Sequence, residues 1–248
     1  MTQSQQPSRA TTWAVFLIIA VILIIVWLFL TRDSADPLDI SATPTLVANV
    51  LSPVPPPIQS TDLTIIFEDN FDHTVGDWEL STVGQAQYVD GVMYLEDSKV
   101  TGIAWSRPHL RFQDFVLDVD SRWLGGSVGG TYGLRFRLLD SGDFLGFYLH
   151  NDGWFNIVQK ETNGPVILYE AFSPAVNRGG EANHIHIEAH GENFRFFVND
   201  TYLVDVQTAA PVSGDIMFIA EKVEGTDSFQ VGFDNLIIGL YPATDPVQ

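Results

Sequence analysis

The chain of 248 residues contains no cysteine, which excludes disulfide bonds, thiol catalysis, iron–sulfur clusters and cysteine zinc sites. Basic residues are scarce as well: 12 Lys and Arg stand against 31 Asp and Glu, and the formal charge is −19. Nucleic-acid binding depends on clustered basic side chains that neutralise phosphates, and the sequence has no such cluster. We therefore expect no nucleic-acid partner.

Glycine is missing from residues 1–60, whereas all 20 glycines and 26 of the 30 aromatic residues lie further along the chain. The sequence also lacks the H-E-x-x-H and P-loop motifs, which removes support for zinc-peptidase and P-loop nucleotidase assignments. Composition thus divides the chain into an N-terminal part and a globular part. The globular part carries 10 basic and 28 acidic residues, a net charge of −18.

An uninterrupted apolar run of 18 residues extends from Trp13 to Leu30, after a short tail at residues 1–12. As a helix rising about 1.5 Å per residue it would span about 27 Å, close to the thickness of a bilayer core. A cleaved signal peptide is the alternative, but its apolar region would be shorter and followed by small residues. The pattern predicts one transmembrane helix, residues 13–30, in contact with the lipid bilayer.

Residues 31–63 are predicted to form a stalk, because they contain six of the 13 prolines and no aromatic residue. The VPPP run at Val54–Pro57 favours an extended polyproline II conformation. Charges around the helix nearly balance, with Arg9 before it and Arg32 after it, so the positive-inside rule does not decide its orientation. A single N-terminal anchor followed by a glycine- and aromatic-rich acidic domain is typical of exported proteins. We expect a single-pass protein with a cytoplasmic N terminus and an extracytoplasmic C-terminal domain.

Short alternating runs separated by glycine, asparagine and aspartate turns fill residues 64–240, ahead of a C-terminal tail at residues 241–248. Fourteen strands are predicted between Thr64 and Ile238, enough for two packed sheets. Turns such as Asp90-Gly91 and Asn163-Gly164 join neighbouring strands as hairpins. The pattern therefore predicts an all-β, two-sheet antiparallel sandwich preceded by one transmembrane α-helix.

Three segments carry a resemblance to a known superfamily. They are FEDNFDHTVGDWEL at residues 67–80, HIHIEAHGENFRFFVNDTYLVDV at residues 184–206 and GDIMFIAEKVEGTDSFQVGFDNLIIG at residues 214–239. They resemble the concanavalin A-like lectin/glucanase superfamily, in particular its laminin-G-like and keto-disaccharide-hydrolase-like domains, over residues 64–240. The resemblance implies a jelly roll whose first and last strands pair. It also implies glycan binding or glycan cleavage, although a fold does not determine a function.

Asp118 and Asp120 project to the same face of a predicted strand at residues 115–123, about 7 Å apart, a separation that carboxylate pairs use in glycoside hydrolysis. Retaining glucanases of the superfamily carry an E-x-D-x-E strand, and Val116 or Arg122 stands where a catalytic Glu is needed. We therefore assign no catalytic residue and keep both acids as candidate ligand-binding residues. A surface ion pair is the alternative.

Alternation along the next three predicted strands places aromatic and polar side chains together on one outward face. Flat aromatic rings stack on sugar rings while planar polar groups bind hydroxyls, so this mixture fits a glycan or another polyol. The alternative is that the aromatic residues merely cover the sheet. The candidate ligand-binding residues on this face are Arg135, Arg137, Tyr148, His150, Trp154 and Asn156.

Two further patterns bear on metal binding. His184, His186, His190 and Glu188 share one side of a predicted strand, which fits zinc but is equally typical of the solvated polar face that we expect here. Glu68 and Asp69 in the first strand and Asp234 in the last provide hard oxygen ligands for calcium. The superfamily often has a structural calcium where those strands meet, so these three acids are candidate ligands for such an ion, and isolated surface acids are the other interpretation.

Three functions remain open. The first is a non-catalytic, membrane-anchored, exported module that binds a glycan or another extracellular polymer. The second is a glycoside-active enzyme of the glucanase-like superfamily. The third is a structural or accessory subunit of a membrane protein complex, in which the domain contacts membrane protein partners.

Overall fold

The computed structural model describes residues 54–73, 77–98, 102–223 and 227–242. The predicted N-terminal tail, the predicted transmembrane helix and residues 31–53 of the predicted stalk lie outside these ranges. Within the described residues, no helix is long and apolar enough to cross a bilayer.

The described residues contain fifteen β-strands, which follow one 3-10 turn at Ser60–Asp62. The strands are β1 (Ile65–Asp69), β2 (Glu79–Leu80), β3 (Gln85–Val89), β4 (Val92–Asp97), β5 (Ala104–Arg107), β6 (Phe115–Gly126), β7 (Thr131–Leu138), β8 (Phe144–His150), β9 (Trp154–Glu161), β10 (Gly164–Phe172), β11 (Ala182–His190), β12 (Asn193–Val198), β13 (Thr201–Gln207), β14 (Asp215–Glu221) and β15 (Phe229–Leu240). All fourteen predicted strands are present with small shifts at their ends. Only the two-residue β2 was not predicted, because two residues are too few to show a period of alternation.

Two antiparallel sheets form a jelly-roll sandwich. One sheet has seven strands in the order β10-β9-β8-β7-β14-β5-β2. The other has eight strands, in the order β13-β12-β11-β6-β15-β4-β3, with β1 also paired to β15. The first and last strands therefore pair, as the superfamily resemblance implies, and the all-β two-sheet prediction is confirmed.

The core lies between the two sheets and is rich in phenylalanine. Phe218 of β14 stacks on Phe233 of β15 with ring centroids 4.4 Å apart, and Phe147 of β8 meets Phe196 of β12 at 5.0 Å. These contacts join the two sheets, so one face of each strand points into the core. Because strand side chains alternate, the other face of each sheet points outward, and both outer faces carry polar groups.

Residues 54–59, the last part of the predicted stalk before the 3-10 turn, lie on the outer face of the eight-stranded sheet. Glu188 accepts a hydrogen bond from the backbone N–H of Ile58 at 2.8 Å, and Arg195 donates to the carbonyl oxygen of Pro55 at 2.7 Å. A proline-rich backbone has few N–H donors but many free carbonyls, so a cationic side chain is a suitable partner for it. Contacts with the domain thus begin before the predicted boundary at residue 64.

Candidate functional site

A groove of about 890 Å³ crosses the outer face of the seven-stranded sheet. Side chains from β5, β14, β7, β8, β9 and β10 line it. Neighbouring strands lie about 4.8 Å apart, so a groove across six strands extends for about 24 Å. Its apolar lining includes Leu138, Phe144, Val158, Ile167 and Met217, and its polar lining includes Arg107, Arg135, Tyr148, Asn156, Lys160 and Glu221.

The apolar floor of this groove is a hydrophobic cluster separate from the main core. Leu138, Phe144, Tyr148, Met217 and Ile219 form it. Simple alternation predicts Leu138 on the inner face, but the preceding residue has φ +50° and the β7–β14 register shifts beside it. This irregularity interrupts the alternation and puts an additional apolar side chain into the groove.

The structure brings three of the predicted ligand-binding residues together in the groove: Arg135, Tyr148 and Asn156. Arg135 Nε donates to the Tyr148 hydroxyl at 3.0 Å. The Asn156 Oδ1 atom is buried and has no hydrogen-bond partner among the described residues, although its Nδ2 lies 3.2 Å from His150 Nε2. A ligand hydroxyl could supply the donor that Asn156 lacks.

His150 and Trp154 share this outer face but do not line the groove. Burial lowers the pKa of His150, which keeps its ring neutral near pH 7. Trp154 is 42% exposed at the end of β9 and meets Phe172 edge-on, with ring centroids 6.3 Å apart. Both remain candidates for contact with a ligand that extends beyond the groove.

Arg137 does not face outward as alternation predicts. It is 1% exposed, and its guanidinium donates to the carbonyl oxygens of Gln113, Gly191 and Pro211. It also pairs with Asp114 at 3.3 Å and lies over the Phe194 ring at 4.7 Å. Arg137 is therefore part of the interior at the end of the sandwich, and its left-handed backbone conformation explains why the prediction was wrong.

Asp118 and Asp120 lie on the other sheet and do not join the groove residues. They belong to an ionic cluster on the outer face of the eight-stranded sheet, made of Asp118, Asp120, His184, His186, Glu188 and Arg195. His186 Nδ1 lies 2.6 Å from Asp118 Oδ1, and its Nε2 lies 3.3 Å from Glu188. His184 bridges the two aspartates at 3.2 and 2.9 Å, and Arg195 holds Glu188 at 2.8 Å.

The ionisation of this cluster follows from its contacts. Hydrogen bonds to Asp118 and Asp120 raise the pKa of His184 to about 10. Burial by itself would lower the pKa of His186, but hydrogen bonds to Asp118 and Glu188 raise it above the ordinary value. Burial would likewise raise the pKa of Asp118, yet hydrogen bonds from the two histidines lower it. Near pH 7 the His184 imidazole is therefore charged, and the hydrogen bonds of His186 to two carboxylates likewise favour its charged form.

The histidine strand was predicted to be a solvated polar face, but the structure covers much of it. His186 is 4% and Glu188 1% exposed. Pro57, Ile58 and Gln59 line a pocket of about 150 Å³ above Asp118 and the histidines. The sequence offered no local sign of this burial, because alternation shows which side chains share a face and not which segment covers that face.

The predicted calcium ligands do not form a fitting site. Both oxygens of Asp69 are engaged, by the backbone N–H of Phe71 at 2.8 Å and by Trp78 Nε1 at 2.9 Å. Glu68 lies near Asp69 beside β15, whereas the Asp234 carboxylate accepts from the backbone N–H of Asn235 at 2.7 Å. Among the described residues, no group of three or more histidine or acidic side chains is arranged to hold a metal ion.

Several solved structures share this fold. They include the carbohydrate-binding module CBM66 from Bacillus subtilis, with 15% identity, a TM-score of 0.56 and coverage of 67% of this chain and 97% of that one. A Bacillus subtilis protein of unknown function with a galectin-like fold gives 11% identity, a TM-score of 0.58 and coverage of 71% and 96%. Bacillus licheniformis beta-glucanase gives 12% identity, a TM-score of 0.56 and coverage of 71% and 98%.

No protein-family model and no curated protein sequence matches the chain. Identities this low establish the fold alone. The similarity therefore confirms the jelly-roll fold, and function has to be argued from the site.

Proposed function

We propose that the C-terminal domain is a non-catalytic glycan-binding module, held outside the cell by a membrane anchor at residues 13–30. The groove on the seven-stranded sheet supports this proposal, because it combines an apolar floor with donors and acceptors around it. Sugar rings present apolar C–H faces and a periphery of hydroxyls, and they bind to surfaces of that kind. Two of the similar solved structures are named for carbohydrate binding or glucan cleavage, which agrees with a glycan as ligand.

The acids of the groove support binding rather than hydrolysis. Two acids, Asp140 and Glu221, line the groove. Glu221 lies at one end of β14, where it pairs with Thr131, and Asp140 comes two residues after Leu138, which pairs with Asp215 at the other end of β14. Six residues of strand separate those two pairs, which corresponds to about 20 Å. Glycosidases hold their two carboxylates about 5 to 9.5 Å apart. Asp118 and Asp120 lie on the opposite sheet and cannot complete such a pair.

An accessory role in a membrane complex is the second candidate. Edge strand β10 supports it, because Val166, Ile167 and Phe172 are exposed there and no described strand pairs with its outer edge. Exposed apolar edge strands are frequent sites of protein contact. A chain that binds no glycan but copurifies with a membrane protein, and loses it on Ile167→Lys, would favour this role.

A glycan array probed with the full chain in detergent tests the glycan proposal, followed by titration calorimetry on each glycan that binds. Asn156→Ala should weaken binding about three- to tenfold, the effect of losing one or two hydrogen bonds. Gln230→Ala is the matched control, because Gln230 lies on the other sheet and bonds to Glu96 at 3.2 Å. Equal losses in both variants, or no bound glycan, would contradict the proposal.

A further inference from the structure

Two unpaired cations lie in the groove of an otherwise acidic protein. The chain has 12 basic residues against 31 acidic ones. Four of its arginines form ion pairs with carboxylates: Arg107, Arg111, Arg137 and Arg195. Arg135 and Lys160 line the groove, yet neither forms an ion pair with a carboxylate within the part of the chain that the structure describes. A cation without a counterion in a ligand groove is available to an anionic ligand.

Arg135 is held in place by two contacts that leave most of its donors free. Its Nε donates to the Tyr148 hydroxyl at 3.0 Å, and its guanidinium carbon lies 4.4 Å from the centre of the Phe144 ring. Gly146 makes room for this arrangement, since a Cβ there would lie 2.5 Å from the Tyr148 hydroxyl. The two terminal nitrogens of Arg135 have no partner among the described residues, so the guanidinium presents a pre-oriented fork.

Lys160 lies on the other side of the strand that carries this aromatic ring. It is the cross-strand neighbour of Phe144 in the β8–β9 pair, and such neighbours have Cβ atoms about 5 Å apart. Its Nζ donates to the carbonyl oxygen of Gly142 at 3.0 Å, which positions the ammonium and leaves two of its three protons. Arg135 on β7 and Lys160 on β9 therefore lie on either side of β8, the strand that carries Phe144.

The nearby acids do not cancel these charges. Asp140 is paired with Arg111 at 3.1 Å. Glu221 lines the groove, and burial raises its pKa more strongly than the charge of Arg135 lowers it. Neither carboxylate is within ion-pair distance of Arg135 or Lys160.

We propose that the groove selects an acidic glycan, whose carboxylate or sulfate binds Arg135 and Lys160 while its sugar ring lies on the apolar lining of the groove. This inference rests on the proposed glycan-binding function and narrows its ligand class. A guanidinium fork binds a carboxylate through two parallel hydrogen bonds, which are stronger than hydrogen bonds between neutral groups. The acidic surface elsewhere repels the same polymer, so binding is confined to the groove.

The test uses the full chain in detergent and three sets of oligosaccharides. The carboxylated set is oligogalacturonate and oligoalginate, the sulfated set is carrageenan and dextran sulfate oligosaccharides, and the neutral set is β-glucan, xylan and fructan oligosaccharides. We expect binding to members of one acidic set at least tenfold tighter than to their carboxyl-esterified or desulfated forms. The set that binds identifies the acidic group. Binding to neutral oligosaccharides alone would overturn the inference and leave the proposed function standing, whereas binding to none contradicts both.

Variants then assign the acidic group to its partners. Arg135→Gln and Lys160→Gln should each remove most of the preference for the acidic form, because the affinity for that form falls by a larger factor than the affinity for the neutralised form. Arg135→Lys should retain part of the preference, because it keeps the charge but loses the fork. Arg122→Gln is the matched control, since Arg122 lies on the other sheet and donates to the carbonyl oxygen of Gly180 at 2.6 Å. A preference that survives both groove substitutions, with the thermal transition intact, would overturn the inference.

Discussion

Among single residues, Arg137 has the largest difference between its predicted and its observed role. Its side chain satisfies three backbone carbonyls from loops that are far apart in the chain. Arg137→Met keeps much of the volume but leaves those acceptors unsatisfied, so we expect a loss of about 2–4 kcal/mol in the free energy of unfolding. Urea denaturation followed by tryptophan fluorescence measures it.

The control for this prediction is Arg111→Met, because Arg111 pairs with Asp140 on the surface, where both side chains are largely exposed. Exposed ion pairs of this kind contribute about 1 kcal/mol or less. Equal effects of the two substitutions would mean that the buried guanidinium does not stabilise the domain.

At the level of strands, the ionic cluster joins β6, β11 and β12 through charged pairs across the eight-stranded sheet. Because folding raises the pKa of His184 to about 10 from an ordinary value of 6.5, its stabilising effect is fully present below about pH 6.5. It declines as the pH rises and is lost above about pH 10. We expect the melting temperature of the protein to fall over this window, and to fall less in the His184→Gln variant.

Thermal melts of both proteins between pH 6.5 and 10 provide the measurement. The comparison with the variant matters, because lysines and tyrosines also titrate near the upper limit. Parallel curves for the two proteins would show that His184 is not the group responsible.

At acid pH the change in stability has the opposite sign. The pKa of Asp118 and that of Glu188 are lowered by folding, so their contribution to stability is lost as the pH falls below about 4.

For the whole molecule, the proposed arrangement places the folded domain outside the cell behind a proline-rich segment. Residues 54–59 are held on the eight-stranded sheet through Pro55 and Ile58, so we expect protease added to intact cells to cut within residues 31–53 instead. The released fragment should begin before Pro55 and remain folded. N-terminal sequencing of that fragment locates the cut.

The control is the same digestion after lysis. Full protection in intact cells, followed by cleavage only in the lysate, would place the domain on the cytoplasmic side and reverse the proposed orientation. A cut between residues 54 and 59 would show instead that the contacts of Pro55 and Ile58 do not hold this segment.

Much of the fold follows from local patterns in the sequence. Strand alternation by itself predicts Phe136, Phe147 and Ile157 in the core and Tyr148 and Asn156 on the opposite face, and the structure places them there, because strand geometry projects successive side chains to opposite sides. Composition alone separated the globular part from the N-terminal segments. The absence of cysteine and the excess of acidic residues likewise excluded whole classes of function without any structure.

The candidate site depended on contacts that local patterns do not contain. Alternation placed Asp118 and Tyr148 on outward faces but could not tell that those faces belong to different sheets, because strand order arises from long-range pairing. Arg137 turned inward through a single left-handed residue, and Glu188 became buried under a segment 130 residues away in the chain. Period and composition are properties of neighbouring residues. The partners of a charged group, and the groove it lines, are set by segments that meet only when the two sheets pack.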